Sequence, residues 1–255
     1  MEIPGFVPED LRQLLRFVPT RGWDAVAWRP MLASLRALSW RFVSGSGVTR
    51  LSRSLAPRLE GITLGRPGEA ALPLETLTHG AQRKAAGDRI LQLYFQQWRN
   101  DQGQFIDLRP THFHYGDGRL WFTPNGLWLE VSPDFRQGLI ALYQAFYGGD
   151  EAALEAALQR MGMLKPDLEP EAVEQLKNLL RSHFGIDQRA QRFAIDAFKQ
   201  SFDALFEFFL AQGYTLHSDF VVLGFNLITL YLALERLGQA HDVRAICLTA
   251  LGDGA

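Results

Sequence analysis

The longest apolar stretch of the chain sets the first constraint on its fold. It runs from Phe220 to Leu234 (FVVLGFNLITLYLAL) and is bounded by Asp219 and Glu235. A helix that crosses a bilayer needs about 20 apolar residues, so this stretch is too short to span a membrane. A helix that is apolar on every side is normally buried inside a protein body. The sequence therefore predicts a buried core helix over residues 218–237.

Helix signals dominate most of the chain. Apolar residues recur at helical spacing, prolines stand at helix starts, and glycines stand near helix C-terminal ends. Towards the N-terminus we predict helices over 8–18, 23–43, 48–59 and 76–98, with a break or kink at Pro30 and an irregular segment over 61–75. Later helices are predicted from Ser132-Pro133 to Gly148-Gly149 and over residues 150–161, 169–184, 187–212 and 240–250.

One region departs from the helical pattern. The β-rich runs Gly118–Thr123 and Leu127–Val131 flank Pro124-Asn125-Gly126. An Asn-Gly pair tolerates the positive φ angles that tight hairpin turns require. We therefore expect a single hairpin with Asn125 and Gly126 at its tip.

Composition excludes several protein classes. With 47% hydrophobic and 21% charged residues over 255 positions, the chain matches a packed protein of one or two domains. The lone cysteine, Cys247, permits neither an internal disulfide nor a cysteine-based zinc site and fits a reducing compartment. A net charge of −2 argues against a nucleic-acid binder. The opening MEIPGFVPED lacks the features of a signal peptide, so we expect a cytoplasmic protein.

Positive charge is concentrated in the first 60 residues. They hold nine arginines and five acidic residues, a net charge of +4 in a chain whose total is −2. Three tryptophans share this region, which suggests a surface that touches a partner or the inner face of a membrane. The alternative is a helical hairpin packed on the body of the protein, with arginine stems over apolar surface. The candidate face consists of Arg12, Arg16, Arg36, Arg41, Trp23, Trp28 and Trp40.

Most polar candidates for chemistry lie between Asp107 and Asp117. His112 and His114 are two residues apart, so a strand would present both imidazoles on one face, as a metal site requires. Asp107 or Asp117 could complete such a site. The alternative is a polar loop that leads into the hairpin, with histidines in ordinary hydrogen bonds.

From Arg89 onward the order of segments resembles the large lobe of the AarF/UbiB family of atypical, protein-kinase-like proteins. The relevant sequence is GQFIDLRPTHFHYGDGRLWFTPNGLWLEVSPDFRQGLIALYQAFYGGDEAALEAALQRMGML, followed near the end by SDFVVLGFNLITLYLALERLG. The family pattern runs through phrases like GFFHADPHPGN, DGRL…LDFG and L-S-P-E-F-R. The resemblance covers about 160 residues and implies a kinase-like fold linked to ubiquinone and other isoprenoid-lipid metabolism.

The resemblance also implies which catalytic positions are degenerate. The catalytic-loop aspartate falls on Asp107, and the asparagine that helps to hold metal falls on His112. The metal-binding Asp-Phe-Gly falls on Pro124, Asn125 and Gly126, so its carboxylate is missing, and phosphoryl transfer depends on the metal that this carboxylate holds. The family's histidine two positions before the aspartate falls on Phe105.

The nucleotide-binding small lobe of the family would lie between residues 66 and 89, a span of only about 20 residues. It contains no glycine-rich strand pair, and Lys84 stands in a helical context. The family's K-x-G-Q signature corresponds to Thr63-Leu64-Gly65-Arg66, without its lysine and glutamine. The resemblance therefore implies a truncated relative that has lost catalysis.

Together these observations predict a mainly α protein: a divergent kinase-like large lobe over residues 76–255, with one β-hairpin, preceded by an N-terminal helical extension over 1–75. The expected function is a non-catalytic pseudokinase that needs no cofactor and binds a protein partner or an isoprenoid-type lipid, at a membrane surface if the basic face is used. One alternative is an enzyme of another class that uses Asp107, His112 and His114, with or without a metal. Another is a residual nucleotide-binding module.

Overall fold

The computed structural model of the chain describes residues 28–165, 167–184, 190–214 and 218–252. Within these ranges the protein is mainly helical, as the sequence predicted. The helices are α1 (Trp28–Ser44), α2 (Val48–Leu55), α3 (Gly80–Trp98), α4 (Pro133–Gly148), α5 (Glu151–Arg160), α6 (Pro170–Phe184), α7 (Ile195–Ala211), α8 (Ser218–Leu237) and α9 (Val243–Leu251). The strands are β1 (Ile62–Leu64), β2 (Leu72–Pro73), β3 (Gln104–Phe105), β4 (Phe113–Gly116), β5 (Arg119–Phe122), β6 (Trp128–Leu129), β7 (Gln191–Arg192) and β8 (Ala240–His241).

Helix α8 is the buried core helix that the sequence predicted. Every side chain from Val222 to Tyr231 is buried, and the helix contacts α1, α3 and α7. Its apolar circumference excludes water on all sides, which places it in the interior. Among the described residues, no helix is both long and apolar enough to cross a membrane.

Two polar residues interrupt the apolar surface of α8. The side-chain amide of Asn226 donates to the carbonyl oxygen of Phe105 at 2.5 Å, and the hydroxyl of Thr229 donates to that of Ile106 at 2.9 Å. The amide of Gln97 on α3 in turn donates to Asn226 Oδ1 at 3.2 Å. Because a buried carbonyl without a partner is costly, these bonds fix the chain that runs from β3 into the next loop.

The main sheet has the strand order β1-β5-β4-β2. Strand β1 runs parallel to β5, while β4 pairs antiparallel with both β5 and β2. Asp117 and Gly118 connect β4 to β5 with φ angles of 50° and 73°. Both central residues of a type I′ hairpin turn require positive φ, and Asp-Gly is one of the pairs that tolerate it.

The hairpin predicted at Asn125-Gly126 is wrong. Strand β5 pairs with β4, and the run after Gly126 forms β6, which pairs antiparallel with β3 in a separate two-stranded sheet. Asn125 does form a turn, because its Oδ1 accepts from the backbone N–H of Leu127 at 2.9 Å. This turn directs the chain away from β5 instead of back along it.

Helix α1 packs directly on that second turn. A Cβ atom on Gly126 would lie 2.2 Å from the carbonyl oxygen of Arg41 and 2.4 Å from the Cα atom of Phe42. Only glycine therefore allows the backbone of α1 to approach this closely. Pro30 lies near the start of α1 as described, and the segment before residue 28, on which the predicted break or kink at Pro30 depends, lies outside the described residues.

The other predicted elements are largely confirmed, with local differences. The hydroxyl of Ser132 caps α4 by accepting from the backbone N–H of Phe135, and the carboxylate of Asp150 caps α5 by accepting from that of Ala153. The segment predicted as helix over 187–212 begins its helix at Ile195, after β7, and the predicted start at residue 240 lies in β8, the partner of β7. The segment 61–75, predicted to be irregular, contains β1 and β2. The predicted helix over 8–18 and the start of the one over 23–43 lie outside the described residues.

Residues on both sides of the predicted boundary at 75 share one core. Strands β1 and β2 complete the sheet around β4 and β5, and Leu51 and Leu55 of α2 belong to the same buried cluster as α3 and α8. The division of the chain at residue 75 therefore does not coincide with a break in the sheet or in the core.

We expect Asn226→Leu to lower the free energy of unfolding by about 3 kcal/mol, because the carbonyl of Phe105 and the amide of Gln97 would stay buried without their partner. Urea denaturation measures the change. The control Thr229→Ser keeps its hydroxyl and should cost about 1 kcal/mol. An unchanged midpoint for Asn226→Leu would contradict the role given to these hydrogen bonds.

Candidate functional site

The strongest candidate for a functional site is built around the carboxylate of Asp107. Asp107 directly follows Phe105 and Ile106, whose carbonyl oxygens accept hydrogen bonds from α8. These bonds fix the backbone position of Asp107. Its side chain is only 1% exposed. A buried carboxylate is costly unless several donors surround it.

Three side chains supply those donors. Arg109 approaches in a fork, with Nε 2.8 Å from Oδ1 and Nη2 2.6 Å from Oδ2. His112 Nε2 lies 3.0 Å from Oδ2, and the side-chain amide of Asn125 donates to the same oxygen at 2.7 Å. The backbone N–H of Arg109 adds a bond to Oδ1 at 3.2 Å. We call these four residues the Asp107 cluster.

The electrostatics of the cluster favour a permanent negative charge on Asp107. Burial alone would raise the pKa of the carboxyl, but the hydrogen bonds from Arg109 and His112, and the electrostatic attraction of both, outweigh burial. The pKa of Asp107 therefore lies well below the usual aspartate value. Such a group is a weak proton acceptor at neutral pH.

Local structure explains how a short segment brings these groups together. Pro110–His112 forms a single 3-10 turn, which returns the imidazole of His112 to a carboxylate five residues earlier. The turn around Asn125 comes after the hairpin β4–β5 and closes the cluster from the other side. The sequence separation of 18 residues between Asp107 and Asn125 is spanned by that hairpin.

The predicted pairing of His112 with His114 on one strand face is wrong. His112 belongs to the 3-10 turn, and strand β4 begins only at Phe113. His114 lies in β4 opposite Trp121, and its buried Nδ1 has no hydrogen-bond partner. Across the described ranges, no group of three or more His, Cys, Asp or Glu side chains is arranged to hold a metal ion.

Arg109 is the member of the cluster that sequence reasoning missed. It stands two residues after Asp107, a spacing at which a side chain can turn back onto its neighbour's carboxylate. The sequence pattern marks basic residues only in the first 60 positions, where their density is highest, and Arg109 lies outside that region. Of the three residues that the sequence resemblance aligned with an Asp-Phe-Gly motif, Asn125 joins the cluster and Gly126 lies against α1, while the side chain of Pro124 offers no ligand.

A second group of interacting residues is centred on Trp128 of β6. It includes Arg41, which belongs to the predicted basic face. The guanidinium carbon of Arg41 lies 3.8 Å from the centre of the Trp128 ring, and Arg50 approaches the same ring at 5.6 Å. Glu130 pairs with both arginines, at 3.6 and 3.7 Å. We call these four residues the Trp128 cluster.

Arg41 is therefore wrongly placed in the predicted exposed face, because it points to the body of the protein. Arg36 and Trp40 are exposed as that prediction requires. The other members of the face, Arg12, Arg16 and Trp23, lie outside the described residues. For Trp28 only the backbone is described, as the first residue of α1.

Comparison with protein-family models found no match to the chain, and a search of curated proteins found no significant match. The functional argument therefore depends on the geometry of the site.

Asp107→Asn is expected to lower the free energy of unfolding by about 3 kcal/mol at pH 7, because Arg109 would stay partly buried without its carboxylate. The folded-state pKa is depressed, so the contribution of Asp107 is fully present above its unfolded pKa of about 4 and is lost as the pH falls below that value. The difference in free energy of unfolding between wild type and Asp107→Asn should therefore become smaller as the pH falls.

Urea denaturation at a series of pH values checks this expectation. Asp101→Asn removes an exposed carboxylate at the end of α3 and serves as the control, with an expected change below about 0.5 kcal/mol. Equal stability of wild type and Asp107→Asn at pH 7 would contradict the structural role of Asp107.

Proposed function

We propose that this protein is a non-catalytic, kinase-like binding module. The observation that carries the proposal is the state of the Asp107 carboxylate. Its two oxygens are occupied by the fork of Arg109, by His112 and by Asn125. A catalytic base must instead be free to accept a proton from a substrate hydroxyl.

The order of segments supports the kinase-like part of the proposal. Asp107 and Asn125, the positions that correspond to the catalytic loop and to the metal-binding motif, flank the hairpin β4–β5 and meet at one point. Two positions that the resemblance assigns to separate motifs, 18 residues apart in sequence, thus meet in space. The family's fold and its link to isoprenoid lipids enter as part of the proposal and by analogy.

The residues at that point support the loss of phosphoryl transfer. This reaction needs carboxylate or amide oxygens that hold Mg²⁺ next to the phosphates. Pro124 supplies no such oxygen, and Arg109 places a positive charge where a cation would otherwise approach Asp107. The cluster thus has a structural role: its hydrogen bonds connect the segment after β3 to the turn at Asn125, across the hairpin β4–β5.

The proposed ligand of the module is a protein partner or an isoprenoid-type lipid. The lipid follows from the resemblance, which links the family to isoprenoid-lipid metabolism, and the protein partner follows from the expected lack of catalysis. The proposal assigns the binding role to the surface of the helical body and to α1, and a scaffold role to the Asp107 cluster.

One observation favours an alternative function. The Asp107–His112 bond has the form of a carboxylate that orients an imidazole, as in hydrolases, and the imidazole is 19% exposed. His114 takes no part in this pair. An enzyme of another class would therefore use Asp107 and His112 alone, with His112 as the group that meets substrate.

We expect the purified protein to hydrolyse no ATP above background with Mg²⁺ or Mn²⁺, and to show no autophosphorylation. Radiolabelled ATP measures both, and nucleotide-induced shifts of the thermal midpoint report residual binding without turnover. The same assays are run on Arg109→Gln, because this substitution removes the guanidinium from one side of the Asp107 carboxylate. Turnover by wild type that disappears in Asp107→Asn would overturn the proposal.

The alternative is tested separately with a panel of ester and phosphate-ester substrates. Hydrolysis that is lost in His112→Ala and retained in His114→Ala would replace the proposed function with an enzymatic one. The expected result is that neither the wild-type protein nor the two variants hydrolyse any of these substrates.

A further inference from the structure

From Arg36 onward, where its side chains are described, helix α1 has an inner side that packs on the body of the protein. Leu38 is 1% exposed, and the guanidinium of Arg41 lies on the Trp128 ring. The backbone at Arg41 and Phe42 touches Gly126 so closely that a Cβ atom could not fit between them. This side fixes the orientation of the helix on the body.

The opposite side of α1 carries large apolar groups into solvent. Trp40 is 70% exposed and Val43 is 76% exposed, the highest values among the large hydrophobic residues that the structure describes. Arg36, also exposed, stands one turn before Trp40. Residues spaced by three or four positions lie on the same side of a helix, so the three side chains form one stripe. We call Arg36, Trp40 and Val43 the α1 stripe.

The sequence from the stripe to the end of α2 and the turn after it is strongly positive. Between residues 36 and 60 the chain has five arginines and a single acidic residue, Glu60. Two of the arginines, Arg41 and Arg50, are paired with Glu130 in the Trp128 cluster. Arg36 and Arg53 are exposed and make no ion pair with another described residue. The stripe thus combines an indole, an aliphatic group and the positive charge of Arg36.

We propose that the α1 stripe docks on an anionic membrane surface, with the helix lying along the headgroups. Tryptophan is favoured at this depth because its ring is apolar and its N–H is polar, while arginine is attracted to anionic lipid. At 70% and 76% exposure the two apolar side chains project outward and do not line a groove, which suits a flat lipid surface. The positive charge selects an anionic partner.

This inference rests on the proposed function in one respect, since it names the surface to which the binding module attaches. It does not depend on the state of Asp107. Vesicle binding therefore tests it separately from ATP turnover, and either proposal can fail while the other holds.

The experiment is co-sedimentation of the full-length protein with vesicles of phosphatidylcholine alone and of phosphatidylcholine with phosphatidylserine. We expect binding to the anionic vesicles only, and weaker binding as salt rises, since the Debye length shortens. Arg36→Gln should lower the partition coefficient about fivefold, the effect of one basic residue near an anionic surface. The double variant Arg36→Gln/Trp40→Ser should lower it by tenfold or more.

Helix α9 offers a matched control. Arg244 and Leu248 are exposed and stand four residues apart, like Arg36 and Trp40. Arg244→Gln/Leu248→Ser removes the same charge and an apolar group that is 37% exposed, and should leave vesicle binding unchanged. The α1 double variant should keep the thermal midpoint within about 2 °C because both side chains are well exposed, and the α9 double variant should lower it slightly more.

Three results would overturn the proposal. One is equal binding to neutral and anionic vesicles, or binding to neither. Another is an equal loss in the α1 and α9 double variants. The third is concentration-dependent dimerisation, measured by sedimentation velocity, that disappears in the α1 double variant while vesicle binding is absent; this result would assign the stripe to a second copy of the chain.

Discussion

The arrangement of the molecule depends on hydrogen bonds that reach out from its most apolar helix. Asn226 and Thr229 face the carbonyls of Phe105 and Ile106 inside the core, where water cannot replace them. Without these two side chains, the segment that enters the candidate site would bury unpaired carbonyls. The position of Asp107, one residue further on, follows from this attachment.

The buried carboxylate then determines what surrounds it. An ionised group that is 1% exposed must be matched by donors. Arg109 and His112 supply them from the 3-10 turn around Pro110, and Asn125 supplies another from the turn after β5. The same bonds that stabilise the buried charge also occupy both carboxylate oxygens. Asp107 therefore joins the segment after β3 to the turn at Asn125, on the far side of the hairpin β4–β5.

Sequence reasoning predicted the parts that depend on local chemistry. The apolar run of α8, the cap at Ser132 and the positive-φ glycines at helix ends are each specified by a few neighbouring residues. The hairpin was misplaced because two turn signals compete. Asp117-Gly118 forms the hairpin, and Asn125-Gly126 forms a turn that leads into β6, the partner of β3. Which runs pair is decided by long-range packing, which alternation along the chain does not encode.

The candidate site was likewise only partly predictable. Asp107, His112 and Asn125 stood out by their types and positions, but Arg109 did not, because its role depends on the direction in which its side chain turns. The inward turn of Arg41 onto Trp128 has the same explanation, since Trp128 lies 87 residues away in sequence. Contacts between such distant residues are fixed by the fold and not by the local pattern.

The most direct test of the account is the titration of Asp107 itself, followed by the carboxyl ¹³C shift in labelled protein, with Asp107→Asn to assign the signal. The account predicts that Asp107 stays ionised to a pH well below that at which the exposed aspartates take up protons, because Arg109 and His112 hold its charge. An Asp107 that takes up its proton at or above the ordinary value of about 4 would contradict it, since the carboxylate would then be free to act as an acid or base.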